Sequence, residues 1–264
     1  MKIKMKFKIK WASEILVVFL LIFPFIGCKD TPVSPIDRSN PLLELTQTLE
    51  TANFVFYYSP GDFVYAERSE AFHDWAVTLL GVTCPKKVEY YKYKDREQQK
   101  RITGSTNTGW AIPSAFEAHS YLPWMNHECV HLYTSVIGRP PTFFNEGIAV
   151  AFQTDPYNND YEAREKSGER IHDLVKRYKD NGVLYPIENI IENSGFNAAD
   201  YTITYPQSGS FVRYLIDTYG IDSMKAIFSS VNRDASIGEI RAAIQSVYGI
   251  TLEDAEQDWL NFIG

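Results

Sequence analysis

Short runs of alternating apolar and polar residues dominate residues 53 to 121 and predict strands there. A period of two is typical of a strand with one buried face, and these runs are rich in Val, Tyr and Phe. The predicted strands cover residues 53–58, 87–93, 110–113 and 116–121. Helical spacing separates the first two over residues 65–80, and Asp95 is expected to cap a short helix that ends at Arg101. This order predicts a small mixed sheet.

Beyond residue 121 the apolar residues recur mostly at helical spacing. The predicted helices cover residues 123–137, 142–152, 162–179, 206–219, 223–231, 236–248 and 252–263. The fold class is therefore α+β. We expect one domain over residues 48–264, with a sheet-containing N-terminal lobe at about 48–137 and a helical C-terminal lobe at about 138–264.

The run His127-Glu128-Cys129-Val130-His131 has the form H-E-x-x-H. Residues four apart share one face of a helix, so His127 and His131 can offer two imidazoles to one metal ion. Glu128 follows the first ligand and can reach a water on that metal as a general base. Two imidazoles beside a carboxylate predict a zinc site of the hydrolytic kind.

The next predicted helix supplies a third ligand. It is apolar from Phe143 to Phe152 apart from Asn145 and Glu146. Because a carboxylate on a buried helix is costly unless it is paired or bound to metal, Glu146 is expected to bind the same ion. The small Gly147 would let this helix approach the first one closely. A purely structural zinc would need a fourth protein ligand, whereas a catalytic zinc keeps one position open.

These residues resemble a known family. Residues 127–131 together with Asn145-Glu146-Gly147-Ile148-Ala149 are similar to the gluzincin branch of zinc peptidases, the thermolysin-like clan, and most of all to small peptidase MA-like domains. Residues 205–215 are similar to the third segment of that family. The resemblance covers roughly residues 50–262. It implies a zincin-like fold, with Zn²⁺ between the two lobes, that hydrolyses peptide bonds in peptide or protein substrates.

The resemblance also implies catalytic roles. Glu128 would take a proton from the attacking water and pass it to the leaving amine. In gluzincins a Tyr or His of the helical lobe donates to the oxyanion, and Tyr205 matches that position, with Tyr201 as the second candidate. Thermolysin has an acidic residue that orients a ligand His where this chain has Val150. The support of the ligands must therefore come from elsewhere.

His119 and His172 lie outside the H-E-x-x-H run and are expected to have no role in the metal site. In the family, an edge strand that runs into the metal helix pairs with the bound peptide, and the strand at residues 116–121 is expected to be that edge. His119 on this strand is expected to be exposed rather than a substrate contact. His172 is expected to be solvated on the polar face of its helix.

The N-terminus is typical of an exported lipoprotein. Five lysines precede an apolar run at residues 15–26, which is too short for a comfortable membrane span and suits a signal peptide over residues 1–27. The end of this run at Gly27-Cys28 resembles a bacterial lipobox, which implies lipid attachment to Cys28. Residues 28–47, rich in Pro, Ser, Asp and Asn, are expected to form a tether. We therefore expect a domain anchored to the lipid bilayer of a bacterial cell envelope, either periplasmic or exposed on the surface.

Charge and cysteine content limit the alternatives. The chain has 26 basic and 33 acidic residues, and loss of the N-terminal lysines and Glu14 leaves 21 and 32, a net charge of −11. Such an acidic domain is a poor candidate for nucleic-acid binding. Cys129 is expected to be a small core residue, although a disulfide with Cys84 is an alternative in an oxidising compartment.

Three functions fit these residues. The leading hypothesis is a lipid-anchored zinc metallopeptidase. The alternatives are a catalytically silent binding lipoprotein with the same fold, against which the intact Glu128 argues, and a zinc hydrolase of non-peptide bonds. The sequence does not distinguish endopeptidase from exopeptidase action, and it leaves the natural substrate and the oligomeric state open.

Overall fold

A five-stranded mixed sheet forms the N-terminal part of the computed structural model, which describes residues 39–154 and 162–264. The strands are β1 (Gln47–Glu50), β2 (Phe54–Tyr58), β3 (Val88–Lys92), β4 (Gly109–Ile112) and β5 (Glu117–Ser120). Their order across the sheet is β1-β2-β3-β5-β4. The inner strands β2, β3 and β5 are parallel, and β1 and β4 pair antiparallel at the two edges.

Four of these strands lie where the hydrophobic pattern predicted them, and the α+β class is confirmed. The place of β5 was predicted wrongly, because β5 is an inner strand between β3 and β4. The edge next to the helix with the H-E-x-x-H run is β4 instead. The chain turns back after β4 through residues 113–116, which places β5 between β4 and β3.

The helices follow the predicted order with shifted ends. They are α1 (Ser39–Glu44), α2 (Ala66–Leu80), α3 (Arg96–Thr103), α4 (Asn126–Thr134), α5 (Thr142–Phe152), α6 (Ile171–Asp180), α7 (Ile187–Ile190), α8 (Asn193–Ala198), α9 (Tyr201–Tyr219), α10 (Ile221–Ser230), α11 (Ile237–Tyr248) and α12 (Leu252–Phe262). Asp95 caps α3 as predicted, by accepting from the Gln98 N–H. None of the helices in the described ranges combines the length and apolar character that a bilayer crossing requires.

The helix predicted from residue 162 begins only at Ile171. The preceding residues form a small hairpin in which Arg164 and Arg170 pair as an antiparallel bridge. Gly168 turns this hairpin with a φ of 80°, a left-handed conformation that favours glycine. The run from Glu162 to Arg170 is mostly charged, so it lacks the apolar face that would hold a longer helix against the core.

Part of the predicted tether is folded. Residues 39–47 form α1 and the start of β1, and the Arg101 guanidinium holds the Glu44 carboxylate in a bidentate ion pair. Leu45 is buried with Tyr91 and Tyr93 on one face of the sheet. The proposed signal peptide, the lipobox at Cys28 and residues 28–38 of the tether lie outside the described residues.

One apolar core joins the sheet to the C-terminal helices. Its members extend from Phe54 on β2 through α4 to Ile263 after α12. Helices α5 and α9 lie at its centre and pack closely against each other. Cys129 is buried in this core as predicted, and both Cys129 and Cys84 are free thiols.

Candidate metal centre

Helix α4 presents both histidines of the H-E-x-x-H run on one face. The ring centroids of His127 and His131 are 4.8 Å apart, as expected for residues one turn apart. The helix begins at Asn126 rather than at Pro123, so His127 lies in its first turn. The side chain of Asn126 fixes this end by donating to the Thr154 carbonyl oxygen at 2.9 Å.

Glu146 on α5 lies against the same face. Its Oε2 is 3.1 Å from His127 Nε2 and 3.4 Å from His131 Nε2. Each of the three side chains offers one potential ligand atom, and these three atoms all lie within 4.8 Å of one another. The structure therefore brings together the three residues that the sequence predicted as ligands, and their donor atoms fit a single metal ion.

The protonation states suit ligation by the carboxylate. Burial opposes the ionisation of Glu146, but the imidazoles, His131 above all, hold its pKa well below the usual range. Burial alone would lower the pKa of His131, but the Glu146 carboxylate outweighs it and raises that pKa to about 9. Because a metal ligand must be deprotonated, metal binding at neutral pH would displace a proton from His131.

Gln153 supports His127 from behind. The Gln153 Nε2 donates to the Arg164 carbonyl oxygen at 3.1 Å, which leaves its Oε1 facing His127 Nδ1, also at 3.1 Å. A neutral His127 that donates from Nδ1 to Gln153 Oε1 has no proton on Nε2, which could then bind a metal ion. Gln153 was not among the predicted site residues. Its only indication in the sequence is its position seven residues after Glu146. Val150, which stands where thermolysin has the orienting acidic residue, packs against Gly209 of α9.

Helix α5 packs closely against α9 because glycines lie at their contact. A Cβ on Gly147 would lie 2.7 Å from Val212 Cγ2 and 2.8 Å from the Ser208 carbonyl oxygen, both on α9. A Cβ on Gly209 of α9 would lie 2.4 Å from Val150 Cγ1. Gly147 and Gly209 thus permit the close contact between α5 and α9, whereas Gly147 was predicted to permit a close contact with α4. The backbone N–H and the hydroxyl of Thr142, the first residue of α5, both donate to Asn193 Oδ1.

Glu128 is buried beside the ligands. Its residue exposure is 7%, and burial raises its carboxyl pKa although His127 and His131 oppose the shift. Its side chain lies against Gly109 of the edge strand β4, where a Cβ would approach Glu128 Oε1 to 3.2 Å. This carboxylate is thus next to the candidate ligands without belonging to their cluster.

Tyr205 reaches the site from α9. Its ring stacks near that of His127, with centroids 6.4 Å apart and planes 14° from parallel. Phe196 holds the ring from another side. Tyr201, the second candidate, is 70% exposed and contacts Tyr205 edge to face. The geometry therefore favours Tyr205 over Tyr201 as the tyrosine of this site.

Two other histidines were predicted wrongly as solvent-exposed. His119 is 1% exposed and lies between the rings of Tyr91 and Trp110, because its β5 position is internal to the sheet. His172 Nδ1 lies 2.9 Å from Ser210 Oγ on α9, since α6 packs against α9 with this face. Neither histidine belongs to the candidate metal centre.

A second acidic group, Glu70 with His73 and Asp74 on α2, also has ligand atoms close together. The Glu70 carboxylate already accepts from the Thr51 hydroxyl and from the backbone and side-chain amides of Asn53. The Asp74 side chain is 75% exposed. This group is therefore a poorer metal candidate than the one on α4 and α5.

A scan against protein-family models finds no match for this chain, and a search of curated proteins finds no similar sequence. The candidate metal centre is therefore the feature from which the function of this chain is inferred.

Proposed function

We propose that this chain is a zinc-dependent peptidase of the gluzincin type. The observation that carries the proposal is the convergence of His127 Nε2, His131 Nε2 and Glu146 Oε2 from two helices. Two imidazoles and one carboxylate form a ligand set that zinc uses in hydrolytic enzymes. The zincin-like arrangement, with the metal between a sheet lobe and a helical lobe, is part of the same proposal.

The number of ligands favours a catalytic over a structural ion. Structural zinc sites have four protein ligands, whereas catalytic sites have three and leave one position for water or substrate. Among the described residues, no further His, Cys, Asp or Glu joins His127, His131 and Glu146 in their cluster. This favours a site with one position open.

Glu128 and Tyr205 have separate roles in the proposed hydrolysis of the peptide bond. When bound, zinc would lower the pKa of a coordinated water and polarise the scissile carbonyl. Glu128 accepts the proton of the attacking water and delivers it to the leaving amine. Its buried position raises its pKa, which brings it closer to the value that a base must have to return the proton. Tyr205 donates its hydroxyl proton in a hydrogen bond to the oxyanion.

The buried Glu128 also argues against a silent binding protein of the same fold. A carboxylate that is 7% exposed and is no ligand costs folding free energy. A protein that only binds partners gains nothing from retaining it, whereas a peptidase needs it as the base.

We also propose that Cys28 anchors the domain to a lipid bilayer outside the cytoplasm, which makes peptides and proteins of that compartment its substrates. Metabolic labelling with a fatty-acid analogue tests this step. Wild type is expected to carry the label, and Cys28→Ala is expected to lose it. Labelling that persists in Cys28→Ala would contradict the anchor and leave the metal centre untouched.

Digestion of a peptide library tests the enzymatic proposal. The domain from residue 39 onward is expected to cleave peptides, to stop when a chelator removes the metal, and to recover when Zn²⁺ is restored. Glu128→Gln serves as the control for contaminating peptidases. Cleavage that resists the chelator, or that is equal in Glu128→Gln, would overturn the proposal.

A further inference from the structure

We propose that Gly109 on the edge strand β4 is a positioning residue for Glu128. The missing side chain of Gly109 leaves the space in which the Glu128 side chain rests against the strand. The catalytic consequence rests on the proposed function, but the steric relation between the two residues does not.

The space beside Gly109 is already filled. A Cβ built on Gly109 would lie 3.1 Å from Glu128 Cγ and 3.2 Å from Glu128 Oε1. It would also lie 2.9 Å from the His119 carbonyl oxygen on the neighbouring strand β5. All three distances are shorter than ordinary van der Waals contacts between carbon and these atoms. An alanine at this position thus requires either the strand or Glu128 to move.

Strand β4 is held on both sides of Gly109. The Ser120 hydroxyl donates to the Thr108 carbonyl oxygen at 2.7 Å, and Ser120 is fully buried. The ring of Trp110 stacks on that of His119, with centroids 4.6 Å apart and planes 4° from parallel. Because both neighbours of Gly109 are fixed to β5, strand β4 cannot move far from α4, so a Cβ on Gly109 displaces the Glu128 side chain in addition to straining the contact with the His119 carbonyl oxygen.

Backbone conformation does not account for this glycine. Gly109 is not among the glycines with positive φ, so an L-residue could adopt its conformation. Glycine weakens a strand interior, and it often marks a place where another group approaches closely. Here two groups approach closely: the His119 carbonyl oxygen of β5 and the side chain of Glu128, which we propose as the base.

A displaced base transfers its proton poorly. A shift of about 1 Å in a catalytic group can lower turnover by about 10²-fold. The contacts require a smaller shift, so Gly109→Ala is expected to lower kcat by about tenfold or more. Zinc content is expected to stay at the wild-type value, because the three ligands are unchanged, and kcat is expected to fall by a larger factor than KM rises.

Two measurements test the inference independently. The first compares kcat, KM and zinc content of wild type, Gly109→Ala and the control Gly238→Ala. A Cβ on Gly238 meets nothing closer than 4.0 Å, so this control is expected to behave as wild type. A wild-type kcat in Gly109→Ala, or a fall matched by lost zinc, would overturn the role.

The second measurement needs no activity. Thermal unfolding of Gly109→Ala is compared in the wild-type and Glu128→Ala backgrounds. Truncation of Glu128 removes two of the three close contacts, so the loss of Tm is expected to be smaller in the Glu128→Ala background. An equal loss in both backgrounds would overturn the inference. If wild type proves inactive on every peptide, the proposed function fails, and this comparison still decides the role of Gly109.

Discussion

Glu146 Oε2 lies 3.1 Å from His127 Nε2, although the residues are 19 positions apart and on different helices. Two features make this possible. Residues 135–141, which contain Gly138, Pro140 and Pro141, end α4 and let α5 begin at Thr142, and Gly147 lets α5 settle against α9. The candidate metal centre is thus a product of helix packing.

Replacement of Glu146 by Gln is expected to remove the metal. The amide has nearly the same volume but no charge, so the two imidazoles lose their anionic partner. Inductively coupled plasma mass spectrometry should find one zinc per wild-type chain and nearly none in Glu146→Gln. The exposed Glu97 provides the control, since Glu97→Gln should keep its zinc. Full occupancy in Glu146→Gln would assign the third ligand elsewhere.

Replacement of Glu128 by Gln is expected to separate binding from turnover. Glu128 is not among the three ligands, so zinc content should equal that of wild type. General-base catalysis contributes about 10²- to 10⁴-fold, and kcat should fall by at least that range. Unchanged peptide cleavage in a zinc-loaded Glu128→Gln protein would show that another group accepts the proton.

Replacement of Gln153 by Leu is expected to weaken metal binding without abolishing it. The change removes the acceptor that fixes His127 Nδ1, and loss of such a partner typically costs about 10- to 100-fold in metal affinity. Competition with a zinc-binding dye measures this affinity. Gln257→Leu, on the exposed side of α12, should bind zinc as wild type does. Equal affinities for both variants would exclude Gln153 from the support of His127.

Replacement of Tyr205 by Phe is expected to lower kcat by about 10²-fold while zinc content is retained. The ring would still stack beside His127, so only the hydroxyl donor is lost. Tyr201→Phe is the matched comparison, because Tyr201 is 70% exposed and should keep its kcat. A large fall in kcat for Tyr201→Phe, with no fall for Tyr205→Phe, would assign the oxyanion donor to Tyr201.

Replacement of Gly147 by Ala is expected to destabilise the fold by about 1–3 kcal/mol, the usual cost of overpacking a core. The added Cβ would collide with Val212 and the Ser208 carbonyl oxygen on α9. A Cβ on Gly238 in α11 would enter open space, so Gly238→Ala should be neutral or stabilising by up to about 1 kcal/mol. Urea unfolding measures both variants. Equal stabilities would show that α5 and α9 can separate at little cost.

The three candidate ligands could be predicted because each has a local signal in the sequence. His127 and His131 share a helical face whatever the rest of the chain does, and Glu146 stands out as a carboxylate in an apolar helix. The alternating pattern likewise predicted β2, β3, β4 and β5. These features depend on periodicity within a few residues.

The residues that sequence reasoning missed depend on distant partners. Strand β1 is exposed at all four positions, so it has no apolar alternation, and pairing with β2 alone makes it a strand. His119 became buried because β4 lies outside β5, an order that periodicity does not encode. Gln153 and Gly109 have roles only through contacts with α4, which sequence spacing cannot reveal.

Anomalous diffraction at the zinc edge, on crystals grown with Zn²⁺, tests the central claim most directly. The account predicts one peak about 2.0–2.2 Å from His127 Nε2, His131 Nε2 and a Glu146 carboxylate oxygen, with no fourth protein ligand. A peak at Glu70, His73 and Asp74 alone, a fourth protein ligand on the ion, or no peak beside α4 would contradict it.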